Sequence, residues 1–146
     1  MRSMLLIYVV MVPTGCFSVD TSQRKMIRQN IEGYAIASCL TYQEFPYLQD
    51  QGDAWASVIL QRMDEDIGVF SNISEIVKDE MAKGEMAFMR SEGVTAKDKA
   101  LPVLYCNELI YKTSVQSALT ELLKEWMSNY RTSVVNNTDS ASSDKH

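Results

Sequence analysis

The chain has 146 residues, 46% of them hydrophobic and 23% charged, with only 6 glycines and 3 prolines. That composition describes one globular domain and excludes low-complexity, collagen-like and turn-rich β-sandwich architectures. The formal charge of −5, with no basic patch to offset it, excludes a phosphate-backbone binder, so no nucleic acid is expected among its partners.

The first expected element is a targeting segment. Arg2 supplies a short positive region, and Met4 to Val12 form a nine-residue apolar core that is too short for a bilayer span but suits a signal peptide. Residues 1–18 are therefore expected to be a signal peptide. Two processing readings stay open: cleavage after Ser18, or a lipobox Pro13-Thr14-Gly15-Cys16 that leaves Cys16 lipidated. A lipid on Cys16 is the only membrane attachment the sequence offers. Under either reading Cys39 and Cys106 remain, and two cysteines in a small exported domain are expected to pair. The bridge closes a loop of about 68 residues, worth roughly 4 kcal/mol by chain entropy. The competing reading is two buried free thiols.

Asp20, Thr21 and Ser22 offer N-caps for a first helix running to about Tyr42, with Ile27, Ile31, Tyr34, Ala35 and Ser38 on one face. Ile36, Cys39 and Leu40 widen that face, Gly33 marks a close helix approach, and Phe45-Pro46-Tyr47 ends the element. Asp50-Gln51-Gly52-Asp53 reads as a turn and cap, followed by a second helix with Trp55, Val58, Ile59, Met63 and Ile67 inward. After a break at Gly68 to Asn72, Asn72 and Glu75 resemble a capping box for a third helix with Ile73, Ile76, Val77 and Met81 inward. The stretch Gly84 to Asp98 is irregular. A fourth helix begins near Asp98 to Pro102 and carries Leu101, Leu104, Tyr105 and Ile110. Ser114 is expected to cap a fifth, with Val115, Leu119, Leu122, Leu123, Trp126 and Tyr130 on one stripe. Residues 134–146 are polar and expected to be disordered. The sum is an all-α domain over residues 19–133: a single compact bundle of about five helices with one disulfide and no β structure.

Catalysis is not expected. His146, the only histidine, lies at the last position, which removes Ser-His-Asp and Cys-His mechanisms and any histidine-based zinc site. Asp64-Glu65-Asp66 reads as a solvated helical face, and Glu121 and Glu125 as surface charge beside Lys124. Met81, Met86 and Met89 offer soft thioethers, but methionine more often fills irregular cores and adaptable surfaces. No cofactor or metal is expected. What remains is a binding surface on Gly84 to Asp98, where Met86, Phe88, Met89, Arg90, Ser91, Glu92 and Gly93 are the candidate partner contacts. The opposing reading tucks Phe88 and a methionine beneath the bundle.

Two segments carry a family resemblance. Asn30-x-x-x-Tyr34-Ala35-Ile36-Ala37-Ser38-Cys39-Leu40, followed by Asp53-Ala54-x-Ala56-Ser57, is similar to the first two helices of the type VI secretion amidase immunity proteins of Gram-negative bacteria. Cys106-Asn107-Glu108-Leu109-Ile110-Tyr111-Lys112-Thr113-Ser114 resembles their late Cys-x-x-x-Tyr-x-Ser segment, with one more residue between cysteine and tyrosine. The resemblance spans about Gln29 to Trp126. It implies a helical periplasmic protein, often a homodimer, that inhibits a papain-like peptidoglycan amidase by inserting a loop into its cleft. The nearest equivalent of that loop is Gly84 to Asp98. The alternative from a different class is a non-enzymatic envelope (lipo)protein with a structural or carrier role.

Overall fold

A computed structural model describes residues 21–65, 67–90, 92 and 98–142, with side chains described as far as residue 129. Residues 1–18, expected as a signal peptide and containing Cys16, lie outside the described residues, as do Ser91 and Gly93. Among the described residues five α-helices form the fold: α1 Thr21–Thr41, α2 Pro46–Met63, α3 Ser71–Lys83, α4 Pro102–Leu109 and α5 Thr113–Ser142. The chain is all-α, as its periodicity and its shortage of glycine and proline require.

The first helix is central because its apolar face is wide. Ile27, Ile31, Tyr34, Ala35, Cys39 and Leu40 are all buried, and α2, α3, α4 and α5 each pack on it. Its solvent side carries an Arg28–Glu32 ion pair at 2.8 Å and i,i+4 spacing, a small local support. The second helix begins at Pro46, seven residues before the expected Asp53. Proline is at home in a first turn, where the missing N–H has no helical partner. The Phe45-Pro46 step therefore ends one helix and opens the next. Gly52 is consequently not a turn residue but a helix-crossing point. A Cβ there would lie 2.6 Å from the Ala37 carbonyl oxygen and 2.6 Å from the Thr41 amide nitrogen.

That crossing decides which side of α2 is inward. Ile59 and Met63 are buried, whereas Trp55, Val58 and Ile67, expected inside, are exposed, Ile67 by 65%. The apolar surface of α2 is wider than the strip α1 can cover. Gly33 does mark a close approach, as expected: a Cβ on it would meet Ile59 Cδ1 at 3.2 Å.

Asp64 stops α2 in the left-handed region at φ 52°, so the acidic run is not the helical face it was read as. Glu65 instead accepts a hydrogen bond from the Trp126 indole N–H of α5 at 3.1 Å, and Asp66 lies outside the described residues. A 3-10 turn, Ile67–Phe70, then buries Phe70 against Tyr34, ring centroids 4.4 Å apart. Phe70, not Asn72, occupies the cap position of α3, and no side-chain cap bond forms there. Ser71 Oγ donates back to the Gly68 carbonyl instead, at 2.9 Å. Ile73 and Val77 face the core; Ile76 and Met81 pack on its edge.

The disulfide forms between Cys39 and Cys106, Cα atoms 5.5 Å apart, joining α1 to the short α4. In α5, Val115, Ala118, Leu119, Leu122 and Leu123 are buried at i, i+3, i+4, i+7 and i+8, the spacing of an amphipathic helix. Its backbone runs to Ser142, beyond the boundary at 133, because no glycine or proline interrupts the sequence after Thr113. Residues 134–142, expected as disordered tail, are thus helical in backbone. None of the helices among the described residues is long and apolar enough to cross a membrane.

One element departs from the all-helical expectation. Strands β1 Phe88–Met89 and β2 Lys99–Ala100 pair antiparallel, Phe88 opposite Ala100 and Met89 opposite Lys99. Two-residue strands are too short to leave a period in sequence.

Candidate functional site

The irregular stretch becomes a hairpin, and its root is specific. Gly84 closes α3, its N–H bonded to the Glu80 carbonyl at 3.1 Å. A Cβ on Gly84 would stand 2.7 Å from the Tyr105 hydroxyl, so the chain's first bend rests directly on that side chain. Tyr105 in turn donates to the Met81 carbonyl at 3.4 Å. Burial pushes its phenol above the ordinary tyrosine value, with the Glu80 carboxylate adding to the rise. The Leu101 N–H bonds the Ala87 carbonyl at 2.8 Å and extends the ladder by one step toward the body.

Pairing geometry then sorts the side chains. Phe88 and Ala100 sit opposite one another, so their side chains share a face, and Met86, two residues earlier, joins them. This face lines a cleft of about 480 Å³ whose other wall is the Tyr42–Phe45 turn. Met89 and Lys99 point the opposite way. Phe88 is 57% exposed and Met89 50%. Neither tucks beneath the bundle, although the Phe88 ring overhangs the cleft. Arg90 and Glu92 are exposed beyond the ladder. Of the seven expected contacts, five are therefore placed: Met86 in the cleft wall, Phe88 and Met89 on the strand, Arg90 and Glu92 past it.

Gln43 is the residue sequence reasoning missed. It lines the same cleft yet is only 3% exposed. Its amide donates to the Cys39 carbonyl at 3.2 Å and to Cys106 Sγ at 3.4 Å, with Cys39 Sγ at 3.7 Å. Gln49 donates to the Gln43 carbonyl at 2.7 Å. The turn that forms one cleft wall is thus anchored on the disulfide, and the disulfide holds α4, which follows β2 directly. Both walls share one covalent foundation. A polar residue just past a helix end gives no sequence signal for this role.

On the other side of the root, Glu80 bonds Lys83 at 3.0 Å. That bond, helped by one from Ser114, holds the Glu80 carboxyl below its usual range. No group of three or more histidine, cysteine or acidic side chains gathers among the described residues in a way that could hold a metal ion.

A second cleft, of about 320 Å³, opens between α1, α2 and α3. Burial of Tyr34 beside it raises the phenol above the ordinary value, and a hydrogen bond with Ser38 partly offsets the rise. Thr41 Oγ1 donates to Asp53 Oδ1 at 3.2 Å, and the Tyr42 hydroxyl and Ser74 Oγ lie 3.0 Å apart.

Compared with protein-family models, curated proteins and solved structures, the chain matches none.

Proposed function

We propose that this chain is an exported, non-enzymatic inhibitor of the type VI secretion immunity class, which occludes the cleft of a papain-like peptidoglycan amidase with its 88–100 hairpin. The observation that carries the reading is the hairpin itself. A short antiparallel ladder, rooted on Tyr105 and Gly84, holds Phe88 and Met89 out from a disulfide-tied scaffold. An inhibitor of this kind needs no catalytic group. It excludes substrate by filling the cleft, and the paired strands at the hairpin's root are already ordered before docking, which limits the entropy lost there. Phe88 and Met89 supply the apolar anchors, while Arg90, Ser91, Glu92 and Gly93 border the catalytic cysteine and histidine of the enzyme. The resemblance of the Tyr34–Leu40 and Cys106–Ser114 segments supplies the partner's class. The same reading places the protein in the periplasm as a homodimer, with Cys16 either removed with the signal peptide or lipidated.

The reading frame beside this chain must then encode a Cys-His amidase, and the test is inhibition of that enzyme, read as release of soluble fragments from purified cell-wall sacculi. A neighbour of another kind would count against the proposal. Wild-type protein is expected to block release at equimolar ratio. Phe88→Ala with Met89→Ala should weaken binding by about 100-fold, two anchors at over 1 kcal/mol each. Unchanged affinity in that double variant, with its helical spectrum intact, would rule out the hairpin as the plug.

A further inference from the structure

The two helical motifs Tyr34–Leu40 and Asp53–Ser57 take no part in the hairpin, yet their polar side chains meet. Tyr34, Ser38 and Thr41 of α1 follow at i, i+4 and i+7 and share one face, and Tyr42, just past the helix end, adds a fourth hydroxyl to that side. Opposite them α2 presents Asp53 and Ser57, and Ser74 of α3 closes the third side. Six hydroxyls and one carboxylate therefore surround a cleft of about 320 Å³, while Leu60 and Ala56 give it an apolar wall. Its size is at the small end of the roughly 300–1,000 Å³ typical of ligand sites, enough for a single ring.

The charges point to a neutral ligand. Asp53 is the one acid among the described residues that line the cleft, and Lys78 Nζ stands 5.6 Å over the ring of Tyr42, which lines it. A carboxylate accepts two hydroxyl protons at once, and hydroxyls that both donate and accept suit a ligand doing the same. Thr41 Oγ1 divides its one proton between the Ala37 carbonyl at 3.1 Å and Asp53 Oδ1 at 3.2 Å, which leaves the Asp53 carboxylate free to accept from a ligand, and the Tyr42 hydroxyl lies 3.0 Å from Ser74 Oγ. An apolar wall beside such groups matches the C–H face of a sugar ring.

We propose that this cleft binds a neutral pyranose, with Asp53 accepting from a vicinal pair of hydroxyls and Ser57 and Ser74 completing the recognition. The site is independent of the inhibitor reading, and its test involves no amidase. Tyr42 lines both clefts and forms the wall between them.

The experiment is a two-dimensional amide NMR titration of the mature chain with D-glucose, N-acetyl-D-glucosamine and chitotriose, using tetrahydropyran as the ring without hydroxyls. Saturable shifts are expected at Tyr34, Ser38, Ser57 and Ser74, with a dissociation constant on the order of 1 mM. Asp53→Asn should weaken binding at least fivefold and Ser57→Ala at least twofold, both at unchanged melting temperature. Glu44→Gln, on the other cleft, should change nothing. Chitotriose binding more tightly than the monosaccharides assigns the site to a glycan chain, weaker binding to a free sugar, and either upholds the proposal. It is overturned by no saturation up to roughly 50 mM, by an equal response to tetrahydropyran, by shifts mapping elsewhere, or by affinities unchanged in both Asp53→Asn and Ser57→Ala.

Discussion

Replacing Gly52 by alanine tests how closely the two longest-packed helices meet. The added methyl would fall 2.6 Å from the Ala37 carbonyl oxygen, the Thr41 amide nitrogen and Thr41 Oγ1. Two of these atoms are backbone and cannot rotate away. Ordinary contact begins near 3.4 Å, so α1 and α2 must part by about 0.8 Å, a gap that forfeits a quarter to a half of each affected dispersion contact. Overpacking of this kind costs about 3 kcal/mol at the upper end of its usual range, while alanine in place of glycine returns about 1 kcal/mol of helix propensity. The net loss is about 2 kcal/mol, and at about 4 °C per kcal/mol for a domain of this size the melting temperature should fall by about 8 °C. Gly33→Ala is the control, because its methyl meets Ile59 Cδ1 at 3.2 Å and Trp55 Cζ2 at 3.5 Å, both ends of movable side chains. Its packing cost should roughly cancel the propensity gain and leave the melting temperature within about 3 °C. Thermal unfolding followed by circular dichroism, with the disulfide intact, reads both. Equal behaviour of the two variants, or a Gly52→Ala protein as stable as wild type, would refute the close crossing.

Removing the Cys39–Cys106 bond by double alanine substitution should lower stability by about 4 kcal/mol in urea titration, the entropy of a 67-residue separation. Reductant should then leave the double variant unaffected while destabilising wild type; sensitivity of both would contradict the assignment. For Glu80, the sign follows from its lowered folded-state value, caused first by the Lys83 hydrogen bond. Its contribution is fully present above the unfolded-state value and disappears as pH falls through the folded one. The melting-temperature advantage of wild type over Glu80→Gln should accordingly exist at neutral pH and vanish in acid. An advantage that grows in acid would reverse the argument.

Much of the fold was legible because α1 and α5 bury long stripes at helical spacing, from Ile27 to Leu40 and from Val115 to Leu123. Their period is unambiguous. The second helix was legible only in its later half. Pro46 serves equally as a stop and as a start, and Gly52 looks like a turn until a second helix is seen pressed against it. Trp55 and Val58 follow helical spacing, but spacing cannot say how wide a strip the neighbour covers. The hairpin was visible as a loss of pattern and not as strands, since Phe88–Met89 and Lys99–Ala100 span one period each. The pairing of Cys39 with Cys106 followed from the cysteine count and the expectation of export. The Gln43 amide on its sulfurs did not, because that contact joins residues 63 positions apart. Of the second cleft's hydroxyls, those of Tyr34, Ser38 and Ser57 sit in recognisable helical segments, but only packing shows that these helices face one another.

The Cys39–Cys106 bond encloses α2, α3 and both strands of the hairpin within one covalent ring, while most of α1, the end of α4 and all of α5 lie outside it. An exposed hairpin is where a protease cuts first. A single cut anywhere between residues 40 and 105 opens that ring without releasing a fragment, so the nicked protein migrates whole until a reductant is added. Its helices can remain assembled around the break. For a domain that carries exposed strands inside that ring, the bond is therefore insurance against the loss of half the molecule to one cleavage.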